Sequence, residues 1–286
     1  MEKDLLVVKS NDLIENFVFN ATELELQILN YAVAVTNPKW EYKNAIYRIS
    51  VSELTKVFKT NSNRAWDSYR IALKRLMKRK YSYYLNDGTE RTENLIIRVD
   101  RPSHNKWLEF KFNDYVSARI KNLSVLFTQY EIKHISMFKS RYSFMLYEFF
   151  KMKLSQVNDN NYIHKISINT FKENLDISKK YDRTYDLKKI VLDRSRTNIN
   201  KHSDIRINYE IIKTGRTPTH IKFSAKYKKG KSPDEISKNA NSENQNLKIE
   251  NPKNQFSEIK KSKPLTEEQQ KIRKEKWKSV KAELKI

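Results

Sequence analysis

A thirteen-residue pattern occurs twice in this chain, 117 residues apart, and that repeat limits the fold more than any other feature. Ile46-Tyr47-Arg48-Ile49-Ser50-Val51-Ser52-Glu53-Leu54-Thr55-Lys56-Val57-Phe58 returns as Ile163-His164-Lys165-Ile166-Ser167-Ile168-Asn169-Thr170-Phe171-Lys172-Glu173-Asn174-Leu175, with three identities and a matching apolar pattern. A period of this length implies two copies of one structural unit, each with its own core. The flanks support this. Thr22-x-x-Glu25 has capping-box spacing ahead of a helix with Leu24, Ile28, Leu29, Ala32 and Val33 on one stripe. Met145, Leu146, Phe149 and Phe150 stand 117 residues after the last four of these.

After each copy comes a polar turn and then a basic amphipathic helix. The first covers 63–78, with Ala65, Tyr69, Ala72, Leu73, Leu76 and Met77 inward. The second covers about 184–198, with Leu187, Ile190 and Val191 inward. Alternating β-type sequence follows both. Residues 81–85 and 95–99 flank a turn at Asp87-Gly88. Ile205, Ile207, Tyr209 and Ile211, then Ile221, Phe223 and Ala225, flank Thr214-Gly215-Arg216-Thr217-Pro218. Helix, short strand, helix, turn, helix, hairpin is the winged-helix order, written twice. The expected class is α+β and helix-rich: two tandem winged-helix domains over 1–122 and 123–228, joined through 107–120 and a connecting segment near 122–139.

Beyond Gly230 apolar residues thin out, and residues 229–286 are expected to be a disordered basic tail. Thr266-Glu267-Glu268-Gln269 caps a possible terminal helix over 266–285, whose only apolar stripe is Trp277, Val280 and Leu284. The net charge of +23 does not come mainly from this tail, since 231–286 hold 14 Lys+Arg against 9 Asp+Glu. The folded part is itself basic, which points to a polyanionic partner, double-stranded DNA above all.

In a helix-turn-helix unit the second helix enters the major groove. Arg64, Arg70, Lys74, Arg75 and Lys78 are the candidate contacts of the first unit; seven basic residues against one acid lie between 63 and 80. Arg183, Tyr185, Lys188, Lys189, Arg194 and Arg196 are those of the second, with Lys213 and Arg216 at the tip of its wing. Arginine donates bidentate pairs to guanine, while lysine mainly supplies charge.

These residues carry a resemblance. Asp186-Leu187-Lys188-Lys189-Ile190-Val191-Leu192-Asp193, then Asn198-Ile199-Asn200 and Lys213-x-Gly215-Arg216-Thr217-x-Thr219-His220-Ile221-x-Phe223-Ser224, resemble the second winged helix of the iteron-binding plasmid replication initiators. Leu146-Tyr147-Glu148-Phe149 is similar to that family's leucine-tyrosine-glutamate helix, and 16–34 to its opening helix region. The likeness spans about 5–228. It implies a protein that binds direct repeats at a plasmid origin as a monomer, opens an adjacent AT-rich segment and helps recruit host DnaA and the DnaB helicase. It also implies a dimer in equilibrium with the monomer, which represses its own gene at an operator, and a home in the bacterial cytoplasm on plasmid or nucleoid DNA. Lys188 and Lys189 fall where the family places base- and phosphate-contacting residues. Lys213, Gly215 and Arg216 fall on its wing. Ile190 stands where some relatives have a third basic residue, Asn198 where glutamate is common, and Arg194-Ser195-Arg196 is more basic than the pattern.

No enzymatic activity, cofactor or metal is expected. There is no cysteine, and three glycines cannot compose a phosphate-binding loop. A rolling-circle nicking initiator would need a His-hydrophobic-His pair, and His104, His134, His164, His202 and His220 supply none. His220 reads as a structural strand residue beside the wing. A winged-helix transcription regulator without initiator activity is the remaining alternative. No apolar run approaches the roughly 18 residues of a membrane span.

Overall fold

A computed structural model describes residues 5–16, 20–36, 45–60, 63–84, 89–100, 107–120, 127–157 and 160–229. All of them fall within one compact unit. The expected tail, its helix over 266–285, and the turn at Asp87-Gly88 lie outside these residues.

After a short helix α1 (Asn11–Asn16), the first repeat opens with α2 (Glu23–Ala34), whose start is fixed by the capping box. Thr22 Oγ1 accepts from the Glu25 amide at 3.4 Å, and Glu25 Oε2 accepts from the Thr22 amide at 2.8 Å. Strand β2 (Tyr47–Ser50), α3 (Val51–Val57) and α4 (Ala65–Met77) follow. The second repeat runs α6 (Arg141–Leu154), β8 (Tyr162–Ser167), α7 (Ile168–Asn174), α8 (Thr184–Asp186), a π-helical segment (Leu187–Asp193) and α9 (Arg194–His202), the last three forming one rod. Strands β9 (Ile205–Thr214) and β10 (Thr217–Tyr227) complete it, in a sheet ordered β8-β10-β9.

The 117-residue period reappears in hydrogen bonds. Helices α3 and α7 are exact translations in number, N-capped by Ser50 and Ser167. At their ends the Phe58 amide bonds the Leu54 carbonyl and Thr60 bonds Thr55, while Leu175 bonds Phe171 and Ile177 bonds Lys172. Between these bonds Lys59 and Asp176 both sit in left-handed backbone, at φ 47° and 51°. This is the helix-ending turn that usually recruits glycine, built twice from side-chain-bearing residues.

Three expectations are corrected. The partner of β3 (Lys80–Tyr84) is β4 (Glu90–Asn94), not 95–99. Glu90-Arg91-Thr92-Glu93-Asn94 is polar throughout, so it carries no alternation to betray a strand. Residues 95–99 instead contribute β5 (Ile96–Asp100), and residues assigned to a connection form β6 (Trp107–Phe112), the middle strand of a β2-β6-β5 sheet, and the short helix α5 (Asp114–Ala118). β6 buries Leu108, Phe110 and Phe112 at alternate positions, with Tyr47 stacked on Phe110 at 5.6 Å. Met77 is exposed; it lies about 120° around the helix from Ala65, outside the arc that holds Tyr69, Leu73 and Leu76.

The two repeats are locked together. Strand β1 (Leu6–Ser10), which precedes the first repeat, pairs antiparallel with β7 (Phe127–Glu131), which precedes the second. Helix α6 lies against both repeats. Its Glu148 meets Lys9 of β1, and its Tyr147 and Lys151 meet Asp204 at the foot of β9.

Candidate nucleic-acid interface

Helix α4 turns Ala65, Tyr69, Ala72, Leu73 and Leu76 inward. The Tyr69 hydroxyl donates to Gln27 Oε1 of α2 at 2.6 Å, and burial pushes its pKa up to about 12. The outward face carries Arg64, Lys74, Arg75 and Lys78, all exposed, with exposed Ile71 among them. Arg70 is half-buried and donates to Asp67 at 3.3 Å. Arg79, one residue beyond the C-cap, bonds Glu25 of the capping box at 2.8 Å and so fixes the end of α4 to the start of α2.

The α8–α9 rod is held by Leu187, Val191, Leu192, Ser195 and Ile199, all buried. Ile190, expected inward, is 38% exposed. In the π-helical segment each turn is closed by an i→i+5 bond. The extra residue brings Val191 and Leu192 to the core and rotates Ile190 out. Tyr181, in the turn before the rod, is held in left-handed backbone at φ 56°, its hydroxyl 3.1 Å from that of Tyr142.

Arg183, Tyr185, Lys188 and Lys189 project from the start of the rod. Tyr185 is 66% exposed, with the Lys189 ammonium 5.9 Å from its ring centre. Lys188 donates to Asp193 at 2.7 Å. Arg194 and Arg196 are turned elsewhere. Arg194 donates to the Lys139 carbonyl at 2.9 Å, beside the connection between the repeats. Arg196 lies toward β9, 3.2 Å from Asp193 and 5.4 Å from the Tyr209 ring centre. Burial opposes ionisation of Asp193. Hydrogen bonds from Lys188 and Tyr209, and the charges of Lys188 and Arg196, outweigh it and hold the carboxyl below its ordinary value. Asp193 thus clasps two cations and sets their spacing.

Lys213 and Arg216 are exposed at the wing turn. Gly215 there adopts φ 60° with nothing within 4 Å of an added Cβ, so glycine is required by backbone conformation and not by space. His220 is a half-buried residue of β10 whose Nδ1 is 3.0 Å from Thr219 Oγ1.

Two cations outside the expected set stand beside Arg196. Arg206 of β9 and Lys226 of β10 line an open groove of about 480 Å³ with Arg196, Asn161, Asn200 and Asn208. Their strands were legible, but the face they share follows only from the pairing register, which places Lys226 opposite Arg206. Among the described residues no cluster of three potential metal ligands occurs, and no helix is long and apolar enough to cross a membrane.

The fold has a solved counterpart. The chain is similar to the Pi initiator protein, crystallised in complex with iteron DNA, at 19% identity and a TM-score of 0.67, over 80% of this chain and 100% of that one. A weaker match, to the WH1 domain of a replication protein isolated from a multiple sclerosis patient, has 17% identity and a TM-score of 0.32, over 36% of this chain and 83% of that one. The sequence matches two family models: the WH1 domain of the initiator replication proteins over residues 6–151 and their WH2 domain over residues 167–225. With two winged helices built on a 117-residue repeat, and with both domain models matched in order, the chain belongs to the initiator replication protein family.

Proposed function

We propose that this protein initiates plasmid replication by binding iteron repeats at the origin through both winged helices. The observation that carries this reading is the matched placement of two cationic helices, α4 and the α8–α9 rod, each at the third-helix position of its unit and each followed by a hairpin. A chain with such helices at equivalent places suits successive major grooves of one duplex. Similarity in fold to an initiator crystallised on iteron DNA supports the same partner.

In this reading Lys188, Lys189, Arg183 and Tyr185 read and grip the DNA from the second unit, with Lys213 and Arg216 on the neighbouring backbone. Arg64, Arg70, Lys74, Arg75 and Lys78 serve the first unit. The domains divide as 1–122, 123–228 and a tail over 229–286. The protein acts by binding, not by catalysis. Opening of the AT-rich segment draws on binding and bending energy, with DnaA and DnaB of the host recruited afterwards. A dimeric form represses the protein's own gene.

Footprinting on the DNA around the coding gene tests this. Protection of several direct repeats about two helical turns apart is the expected result. Protection of a single inverted repeat, and nothing else, overturns it in favour of a plain transcription regulator.

A further inference from the structure

The groove beside Arg196 is a charged feature that the helix faces and the wing tip do not account for. On β9, Ile205, Ile207 and Tyr209 face the core, so Arg206 and Asn208 face out; on β10, Ala225 and Tyr227 face in, so Ser224 and Lys226 face out. Register sets Lys226 opposite Arg206 and Ser224 opposite Asn208. Two like charges directly opposite on neighbouring strands destabilise a sheet, and no residue lining this groove is acidic. Asp193, the carboxylate that meets Arg196, is already engaged by Lys188 and Tyr209 as well. Nothing acidic in the groove offsets these charges, so the site favours an anion between the cations.

The surroundings of the groove narrow the kind of partner it can take. Asn200 binds the backbone of Ile207 on both sides, accepting from its amide at 2.7 Å and donating to its carbonyl at 2.9 Å. This covers the free edge of β9 there and closes it to strand addition by a peptide. Arg196 is held in place by Asn208 at 3.4 Å and by Asp193. Through Asp193 the groove joins Lys188, giving a cationic track from the recognition helix to the outer face of the sheet. Lys188 and Arg196 meet the same Asp193 carboxylate, at 2.7 and 3.2 Å, so the track runs unbroken from one to the other.

From this arrangement we infer that Arg196, Arg206 and Lys226 form a second seat for a phosphodiester backbone, beyond the bases faced by Lys188 and Lys189. The seat holds the same duplex that the recognition helix reads. This rests on the DNA-binding reading above, which it extends to a site outside the helix-turn-helix and the wing tip.

The test uses the full chain and a duplex that the chain itself selects from a random pool. Log affinity is measured against log salt for wild type, R206A/K226A and the charge-keeping R206K/K226R. Loss of two phosphate contacts lowers the slope by about 1.8. R206A/K226A should show that drop, keep its preference for the selected over a scrambled duplex, and regain the slope in R206K/K226R. A second arm adds a labelled single-stranded oligonucleotide of unrelated sequence to the saturated complex. If the duplex slope is unchanged but R206A/K226A no longer holds the added strand, the seat takes a second nucleic acid, and its assignment to the duplex that the recognition helix reads is overturned. If neither changes, the inference is overturned and the cations serve some other partner. A failure of K188A/K189A to reduce selected-duplex binding would instead sink the recognition helix, independently of the groove.

Discussion

Lys9 and Glu148 are 139 residues apart in sequence and 2.7 Å apart in space, with side chains only 3% and 10% exposed. One belongs to the strand ahead of the first repeat, the other to the opening helix of the second. Tyr130 of β7 donates to the same Glu148 oxygen, and burial followed by the Glu148 charge holds its hydroxyl well above the usual pKa. Removing one partner of a buried ion pair leaves the other charge stranded, which costs about 3–5 kcal/mol. E148A should therefore lower the urea midpoint sharply, and the apolar pair K9M/E148L should recover most of the loss. Equal losses in both variants would show that the pair contributes no more than shape.

DNA affinity should be dominated by phosphate contacts. With roughly 6–10 of them, binding weakens about 10³–10⁵-fold between 50 and 200 mM salt. K188A/K189A should abolish sequence-specific binding and leave the circular dichroism spectrum and melting temperature unchanged, because both side chains lie outside the core. An unaltered gel shift would mean that the rod is not the reading element.

Stability should fall as pH drops below neutral. Burial lowers the pKa of His134 and His164, against the charge of Asp204 at His134 and with the help of Lys153 at His164. In the unfolded chain these imidazoles titrate near about 6.5, so below that pH the unfolded state takes protons that the fold refuses. Asp204 adds a second loss at lower pH. Burial raises its pKa, but Lys151 and His134, with hydrogen bonds from Lys151 and Tyr147, outweigh it and hold the carboxylate ionised below its unfolded value of about 4. Urea midpoints should decline from pH 7.5 to 5.5 and again below about 4, and H164Q should flatten the first decline. A midpoint constant from pH 7.5 to 5.5 would contradict this.

Lys59 and Asp176 occupy equivalent left-handed positions. Relief of the Cβ clash, about 1–2 kcal/mol, outweighs the added freedom of glycine in the unfolded chain, about 0.4–1 kcal/mol. K59G and D176G should each raise the urea midpoint slightly, and their effects should add. Destabilisation by both would show that these side chains make contacts worth more than the strain.

A chain ending at residue 229 should retain sequence-specific DNA binding, since every candidate contact lies before that point. The removed residues carry a small share of the +23 charge. Loss of binding in the shortened chain would assign the tail a direct part in recognition.

Local signals determined the order of elements. The capping box at Thr22 and Glu25, the shared Ile-x-x-Ile-Ser pattern, and the apolar stripes of α4 and α6 depend on residues a few positions apart, so the sequence displayed them directly. The pairing of β3 with Glu90–Asn94 was hidden because a strand solvated on both faces needs no alternation. The outward turn of Ile190 depends on one extra residue in a π-helical turn, which has no composition of its own. Lys9 with Glu148, and Arg206 with Lys226, are joined by the packing of α6 on β1 and by strand register. Such contacts form between side chains far apart along the chain, and local sequence carries no record of them. The sequence by itself settled that there are two similar units and where their cationic helices lie. Only the tertiary structure decided how those units are bound together and which cations share a face, because a sheet's register and a helix's rotation are fixed by the whole core at once.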